Sequence, residues 1–294
     1  EEDQGRPPLG LAFPNDLDFY DHPTPVSRFK ELLIQFKRAT SRTYGWHSKR
    51  IVLLIDEFSY LYGLIVQNRL PDEEFMKIWK SLLQDELFSA VLAGQDVMPK
   101  FKERFPNEFG IVQDQRVSYL KSEDAVLLID EPIRIGGKTG KSRYREKAIE
   151  RIVDLTAGSP FYIQIICHRL VEYMNRKRTS LVTEADVEQV KNELITGANL
   201  LGWDKFDNLI SSGDTSPDAI SSEEAKVILK IIARNYRTGC NRNNIVEDPT
   251  ITDNPQIDVD KILEDLEKRE VIEVKSGQYY TIRVGLFRDW LLAH

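Results

Sequence analysis

Apolar and polar positions alternate along this chain in blocks that predict an α/β region followed by helices. Phe29, Leu32, Leu33 and Phe36 recur at helical spacing after Thr24–Pro25–Val26. A polar bridge from Ser41 to Lys49 leads into Ile51–Val52–Leu53–Leu54–Ile55, an unbroken aliphatic run. Such a run predicts a strand buried on both faces, as in a parallel sheet. A segment from Phe58 to Gln67 follows and is broken at Asn68–Arg69–Leu70–Pro71. Asp72 is placed to cap a helix whose apolar face carries Phe75, Ile78, Trp79, Leu82 and Leu83. Phe88 to Ala93 is a second buried strand, closed by Gly94–Gln95–Asp96. A short extended segment, 115–120, precedes a helix opened by Ser122 and Glu123 that runs to Pro132.

Beyond a Gly/Lys loop at 135–143 the helical period takes over. Ala148, Ile149, Ile152, Val153 and Leu155 share one face, and Thr156–Ala157–Gly158–Ser159–Pro160 interrupts it. A long helix covers Phe161 to about Asn175, and Thr183-Glu-Ala-Asp opens another with a capping pattern. Residues 208–222, rich in Ser, Asp and Gly, read as a linker. Helices over 223–235 and 259–269 then precede two short strands, 271–274 and 279–282. Ser276–Gly277 marks the hairpin turn between them. Helices followed by a hairpin are the outline of a winged helix. An amphipathic helix, Phe287 to Leu292, closes the chain.

Length and composition narrow the classes. The 294 residues suffice for about two domains with cores of their own. No stretch reaches the roughly 20 apolar residues of a membrane-spanning helix, and no signal peptide opens the chain. Cys167 and Cys240 cannot build a disulfide framework, and the four histidines show no metal-ligand spacing with them. Cys167 lies in an apolar run and reads as a buried thiol. These features fit a reducing cytoplasm. A net charge of −7 gives no global pull toward nucleic acid or an anionic membrane. Trp79, Trp203 and Trp290 sit at apolar helical positions and read as core. The chain begins with Glu1 rather than Met and its start reads as mid-protein sequence, so further residues are expected upstream.

The candidate chemistry lies where the first strand ends. Asp56 and Glu57 follow it directly, and ligands of open α/β sheets bind at the carboxyl ends of strands. An Asp there can hold Mg²⁺ beside nucleotide phosphates. The next residue, Glu57, points the other way and can polarise an attacking water. This is the Walker B pattern of P-loop ATPases; the plain alternative is a core strand ending in two solvated acids. A matching phosphate loop is harder to find. Gly136-Gly-Lys-Thr-Gly-Lys-Ser142 invites that assignment, but the spacing Gly-x4-Gly-Lys-Ser requires a glycine at 135, which is Ile135. The run also lacks a preceding strand and follows the acidic motif instead of preceding it. It reads as a basic surface loop.

The chain resembles the STAND group of AAA+-related ATPases, especially members with an origin-initiator-like core. The residues carrying the resemblance are Ile51 to Phe58, Leu92-Ala-Gly-Gln-Asp96, Glu131–Pro132, Leu155-Thr-Ala-Gly-Ser-Pro-Phe-Tyr-Ile-Gln164 and Tyr280 to Trp290. It spans about Phe29 to His294. It implies an α/β fold: a parallel-sheet P-loop NTPase core, here incomplete, over residues 1–134, a helical lid over 135–207, and a C-terminal winged helix over 208–294. It further implies ATP and Mg²⁺ as cofactors, with Asp56 as metal ligand and Glu57 as the water-activating base. Gln95 stands where the family senses the γ-phosphate, and Gly158 and Pro160 where its lid motif packs near the adenine. Arg116, Arg134 and Lys138 are candidate cations for phosphate. The family's glycine-lysine loop precedes Walker B, and residues 1–50 contain none, so it is expected upstream of Glu1.

Members with this layout are signalling switches, some of them in defence against phage. That implies an ATP-driven change that assembles a homo-oligomer and engages an effector domain or partner protein. A second possibility is a DNA-binding initiator-like ATPase. Against it, the helix over 258–270 carries Asp258, Asp260, Glu264, Asp265, Glu267 and Glu270 against only Lys261, Lys268 and Arg269. Such a helix loses the counterion-release term that drives binding to phosphates. A third is an interaction module that kept the fold without nucleotide binding.

Overall fold

A computed structural model describes residues 24–44, 51–70, 72–110, 112–216 and 218–294. The expectations for residues 1–22 and for the bridge beyond residue 44 lie outside them. The chain forms two compact units. One comprises residues up to 113 together with 213–219; the other comprises 114–212 and 220–294.

The first unit runs α1 (Pro25–Tyr44), β1 (Val52–Ile55), α2 (Ser59–Val66), α3 (Asp72–Gln84), β2 (Ser89–Leu92), α4 (Met98–Arg104) and α5 (Pro106–Phe109). β1 and β2 pair in parallel, Val52 opposite Ser89 and Ile55 opposite Leu92, with α2 and α3 in the crossover. One face of the pair sends Leu53, Ile55, Ala90 and Leu92 against the core. That core is aromatic: Phe101 stacks on Phe58 at 5.4 Å and meets Phe109 at 5.2 Å, while Phe58 meets Trp79 at 5.6 Å. Such pairs add roughly 0.5–1.5 kcal/mol each beyond burial.

The other face departs from the expectation of two-sided burial. Leu54 is 77% exposed, Val52 51% and Val91 56%. The reason is the period of a strand: alternate residues point to opposite faces, and among the described residues the core covers one of them.

The second unit opens with an extended stretch, 114–121, then α6 (Ser122–Asp130), a 3-10 turn (Glu131–Ile133), α7 (Ala148–Thr156), α8 (Pro160–Lys177) and α9 (Glu184–Ile195). Thr183 and Asp186 form the expected reciprocal capping box on α9. A short helix α10 (Asp207–Ile210) precedes α11 (Ser222–Arg234), α12 (Arg242–Val246), α13 (Pro249–Thr252) and α14 (Val259–Lys268). β3 (Ile272–Lys275) and β4 (Tyr279–Ile282) form an antiparallel hairpin, and α15 (Gly285–Ala293) ends the chain. Ser276 and Gly277 both have positive φ, 52° and 71°, as a tight primed hairpin turn demands.

One continuous core joins these helices, from Ile152 and Ile166 to Leu229 and Leu263. Phe206 stacks on Phe287 at 4.8 Å and on Tyr162 at 5.7 Å. Trp290 donates its indole N–H to the Leu201 carbonyl at 2.8 Å, and Trp203 packs edge-on against its ring at 4.5 Å. Trp79 and Trp290 are buried, in line with the core reading. Cys167 is partly buried against the core, where burial pushes its thiol pKa up to about 11 and its sulfur accepts from the Tyr144 hydroxyl at 3.7 Å. No helix among the described residues is long and apolar enough to cross a membrane.

Candidate functional site

β1 ends at Ile55, and the chain turns through Asp56 and Glu57 into α2. Glu57 takes a left-handed backbone, φ 52°, a conformation that costs a non-glycine residue on the order of 1–2 kcal/mol. The neighbouring strand holds it there. Ala93 donates to the Ile55 carbonyl at 2.9 Å, and Phe58 donates to the Ala93 carbonyl at 2.8 Å. Phe58 is then anchored in the aromatic core. Asp56 accepts from the Glu57 N–H through Oδ1 at 2.9 Å, which orients its carboxylate beside the turn.

The end of β2 is fastened to the same turn. Gln95 donates its backbone N–H to Ser59 Oγ at 3.2 Å, and Ser59 is buried. Glu57 and Gln95 consequently line one pocket of about 240 Å³ together with Ser59, Arg69, Gly213 and Thr215. Asp56 is exposed next to it and is not part of the lining. Ser59, Arg69 and the 213–215 segment were not singled out from sequence. Arg69 hides in a chain-breaking Asn-Arg-Leu-Pro, and the arrival of residues 213–215 is a long-range event that no local pattern announces.

Gly158 and Pro160 lie in the second unit. Gly158 has φ 81°, and a Cβ there would stand 2.6 Å from the Leu120 carbonyl oxygen. Its own carbonyl accepts from Leu120 N–H at 3.0 Å. Pro160 occupies the first turn of α8 behind an extended Ser159, a position where a missing N–H costs nothing. Phe161 is half-exposed, and Tyr162 is buried with its hydroxyl donating to the Lys205 carbonyl at 3.0 Å.

The three candidate cations are engaged inside their own unit. Arg116 pairs with Glu270 at 3.6 Å, Arg134 with Asp130 at 2.7 Å, and Lys138 with Glu131 at 4.0 Å. The 135–141 loop closes on itself. Ile135 and Lys141 exchange backbone bonds of 2.9 and 3.0 Å, and Gly140 donates to the Gly137 carbonyl at 2.8 Å. Those N–H groups are turned inward, whereas a phosphate loop directs a row of them at the ligand. No helix follows directly, since α7 starts only at Ala148.

No cluster of three or more His, Cys, Asp or Glu side chains among the described residues could hold a metal alone. An exposed Asp56 with Glu57 beside it suits Mg²⁺, which takes one or two carboxylates and fills its octahedron with water and phosphate oxygens. The donor set fits that ion and no dedicated protein cage.

The described residues define a mixed α/β protein, mostly helical, with a small parallel sheet whose strand ends share a pocket. No protein-family model matches the chain, and no curated protein sequence matches it. Among solved structures it is similar to that of the Aeropyrum pernix ORC2 protein in ADPNP–ADP complexes. The two are 14% identical with a TM-score of 0.48, over 94% of this chain and 71% of that one. A similarity of that degree identifies no shared ligand or activity.

Proposed function

We propose that the chain is the core of a nucleotide-dependent switch of the AAA+-related STAND class, acting on ATP with Mg²⁺. The observation that carries this reading is the convergence of Glu57 and Gln95, from the ends of two adjacent parallel strands, on one pocket. Carboxyl ends of parallel strands are where α/β sheets bind ligands. Asp56 is the residue to hold Mg²⁺, which when bound would draw charge from the phosphate oxygens. Glu57 Oε accepts the proton of the attacking water. Gln95 Nε2 donates to the γ-phosphate and so distinguishes the nucleotide states. Gly158 and Pro160 form the turn assigned to the adenine side, on the lid proposed for residues 135–207. The reading requires a glycine-lysine phosphate loop, and the described residues contain none.

The C-terminal elements support a winged helix over 208–294 that engages protein. Four helices, α11 to α14, precede the β3–β4 hairpin, and Tyr280 N–H reaches the Cys240 carbonyl at 2.7 Å, adding Cys240 as a third, one-residue strand. Several of its basic side chains are already engaged. Arg242 grips Asp260 with two bonds of 2.6 and 2.7 Å, Lys268 pairs with Glu264, and Arg269 is buried. In the hairpin Lys275 and Arg283 face Glu273. A DNA phosphate would have to displace these carboxylates, which favours a partner protein or a second copy of the chain over DNA.

The test is steady-state hydrolysis of Mg·ATP by the complete protein, with a wild type that turns over, and by its Glu57→Gln variant. Loss of a general base lowers turnover roughly 10²–10⁴-fold. Equal rates would remove Glu57 from the chemistry and favour an interaction module without catalysis.

A further inference from the structure

The second unit carries two patches of opposite charge. The first is the Gly/Lys loop with its neighbours. Residues 134–147 hold six basic side chains against Glu146 alone, and Arg176–Lys177–Arg178 adds three more. The fold brings the two stretches together. Arg145 N–H donates to the Val182 carbonyl at 2.8 Å and Val182 N–H to the Arg143 carbonyl at 3.0 Å, while the Arg143 guanidinium reaches the Ser180 carbonyl at 3.2 Å. Arg178 is two residues from Ser180, within about 7 Å of chain. Buried Tyr144 pins the centre of this ridge, so its cations stand on a fixed backbone. Arg134, Lys138, Arg176 and Lys177 have carboxylate partners. Among the described residues Lys141, Arg145, Lys147 and Arg178 are exposed and pair with no carboxylate.

The second patch is α14 with the stretch leading to it. Residues 247–270 hold nine acidic side chains against Lys261, Lys268 and Arg269. Val259, Ile262, Leu263 and Leu266 turn the apolar side of α14 into the core, which leaves the acids on its outer face. Asp253, Asp258, Asp260, Glu264 and Glu267 are exposed there. Asp260 is held by Arg242 and Glu264 by Lys268, whereas Asp253 and Glu267 join no ion pair among the described residues. The ten residues of α14 span about 15 Å, a length comparable with the at most about 20 Å from Lys141 to Lys147. Among the described residues no ion pair joins the two patches within one copy.

Like charges packed this densely repel one another, and a partner of opposite sign relieves them. A nucleic acid matches the ridge, but the acidic helix of the same unit and the net charge of −7 oppose its approach. A second copy of the chain matches both patches at once. We propose that the chain associates head to tail, the ridge of 134–147 and 176–178 on one copy seating on the outer face of α14 on the next. The two surfaces differ, so the contact is heterologous and builds rings or open chains instead of two-fold dimers. Charge steers such an encounter and fixes its register more than it adds affinity, so the association is reversible and weakened by salt. The proposal deepens the reading of the C-terminal module by naming the surface it meets, and it rests on that reading in taking the module's partner to be protein.

Sedimentation velocity of the full chain, without nucleotide, tests it. The wild type associates at about 100 μM protein in about 50 mM salt, and about 500 mM salt weakens the association roughly tenfold. One variant reverses the ridge with Lys141→Glu, Lys147→Glu and Arg178→Glu; another reverses the helix face with Asp253→Lys, Glu264→Lys and Glu267→Lys. Lys147→Glu puts a carboxylate at the start of α7 and Glu267→Lys a cation near the end of α14, signs that each helix dipole favours. Each variant alone associates at least about tenfold more weakly than the wild type. An equimolar mixture of the two associates again, and so does a chain carrying all six changes, because opposite signs then face each other across the contact. Should a reversal lose its far-UV circular dichroism, Gln at the same three positions gives the same reading with about threefold weakening. A wild type that stays monomeric overturns the proposal, as does a mixture that stays monomeric while both variants keep their circular dichroism. A monomeric wild type whose binding to a duplex of about 30 base pairs is lost in the ridge variant alone makes the ridge a nucleic-acid surface and overturns it too. No ATP enters these measurements, so failure of the contact and failure of the Glu57 assignment are seen separately.

Discussion

Replacing Gly158 with Ala separates a steric role from a nucleotide-contacting one. The methyl group meets two costs. The first is conformational: φ is 81°, and a left-handed backbone costs Ala about 1 kcal/mol over Gly. The second is a clash, because the new Cβ lies 2.6 Å from the Leu120 carbonyl oxygen. That oxygen is main chain and cannot swing away. Relief requires the 114–121 stretch to move, which strains the 3.0 Å bond from Leu120 N–H to the Gly158 carbonyl. Weakening such a bond costs about 0.5–1.5 kcal/mol, and the overlap adds a comparable amount. The sum is about 2–4 kcal/mol. For a unit of this size each kcal/mol moves the midpoint by roughly 2–4 °C. The expected fall in Tm, followed by circular dichroism without nucleotide, is about 5–15 °C. Gly137→Ala is the control: its φ is 86° and nothing lies within 4 Å of its added Cβ. Only the conformational cost applies there, about 1 kcal/mol. Equal shifts for the two variants would refute the packing argument.

Phe101→Ala, emptying the centre of the aromatic cluster, is expected to cost about 3–5 kcal/mol in denaturant titration. Leu54→Ala, at the bare face of β1, should stay within about 0.5 kcal/mol, and a cost near that of Phe101 would mean that the face is covered. Glu57→Gly should hold or raise stability in denaturant titration, since glycine accepts the left-handed turn, while Glu57→Val should lower it by about 1–2 kcal/mol. Asp186 gives a pH signature. Its burial works against the charge, but Lys177 and the Thr183 donors bring its pKa down to about 2. A depressed carboxyl stabilises the fold above its unfolded pKa near 4 and loses that contribution as pH falls toward about 2. After allowance for screening by the half-exposed Lys177, this is about 1–2 kcal/mol, absent in Asp186→Asn acid titrations.

The elements that local chemistry announces were legible. The aliphatic run to Ile55, the Thr183 box and the Ser276–Gly277 turn each depend on a few consecutive residues, and each stands where its pattern places it. Glu57 and Gln95 were legible as strand ends, and their meeting in one pocket follows from the parallel pairing of β1 with β2. What stayed hidden is non-local. Nothing in Ser-Ser-Gly-Asp-Thr-Ser says that Asp214 will find Lys100, more than a hundred residues earlier, or that Gly213 will press on Gln95. The short helices at 98–109 were likewise missed, because four- and seven-residue helices carry too little periodicity to register and exist through Phe101 and Phe109 in the core. Arg269 misled in a different way. Counted by charge it is one of three basic residues on an acidic helix; in the fold its guanidinium is spent on the carbonyls of 208–210.

That burial bears on how the C-terminal module recognises anything. A helix binds DNA through side chains free to leave water for phosphate, and each such contact releases counterions. On α14 and its hairpin the positive groups with assigned contacts are turned inward or bound to carboxylates, and the outward charge is largely acidic. Freeing Arg242 alone means breaking a two-bond fork to Asp260. Because that pair is exposed and screened by water, it adds little to stability, so Asp260→Asn should release Arg242 at little cost to the fold. If DNA were the ligand, that variant would bind it measurably tighter in a gel shift at low salt. If the module meets a protein, Asp260→Asn leaves DNA binding absent and alters only assembly, read by light scattering.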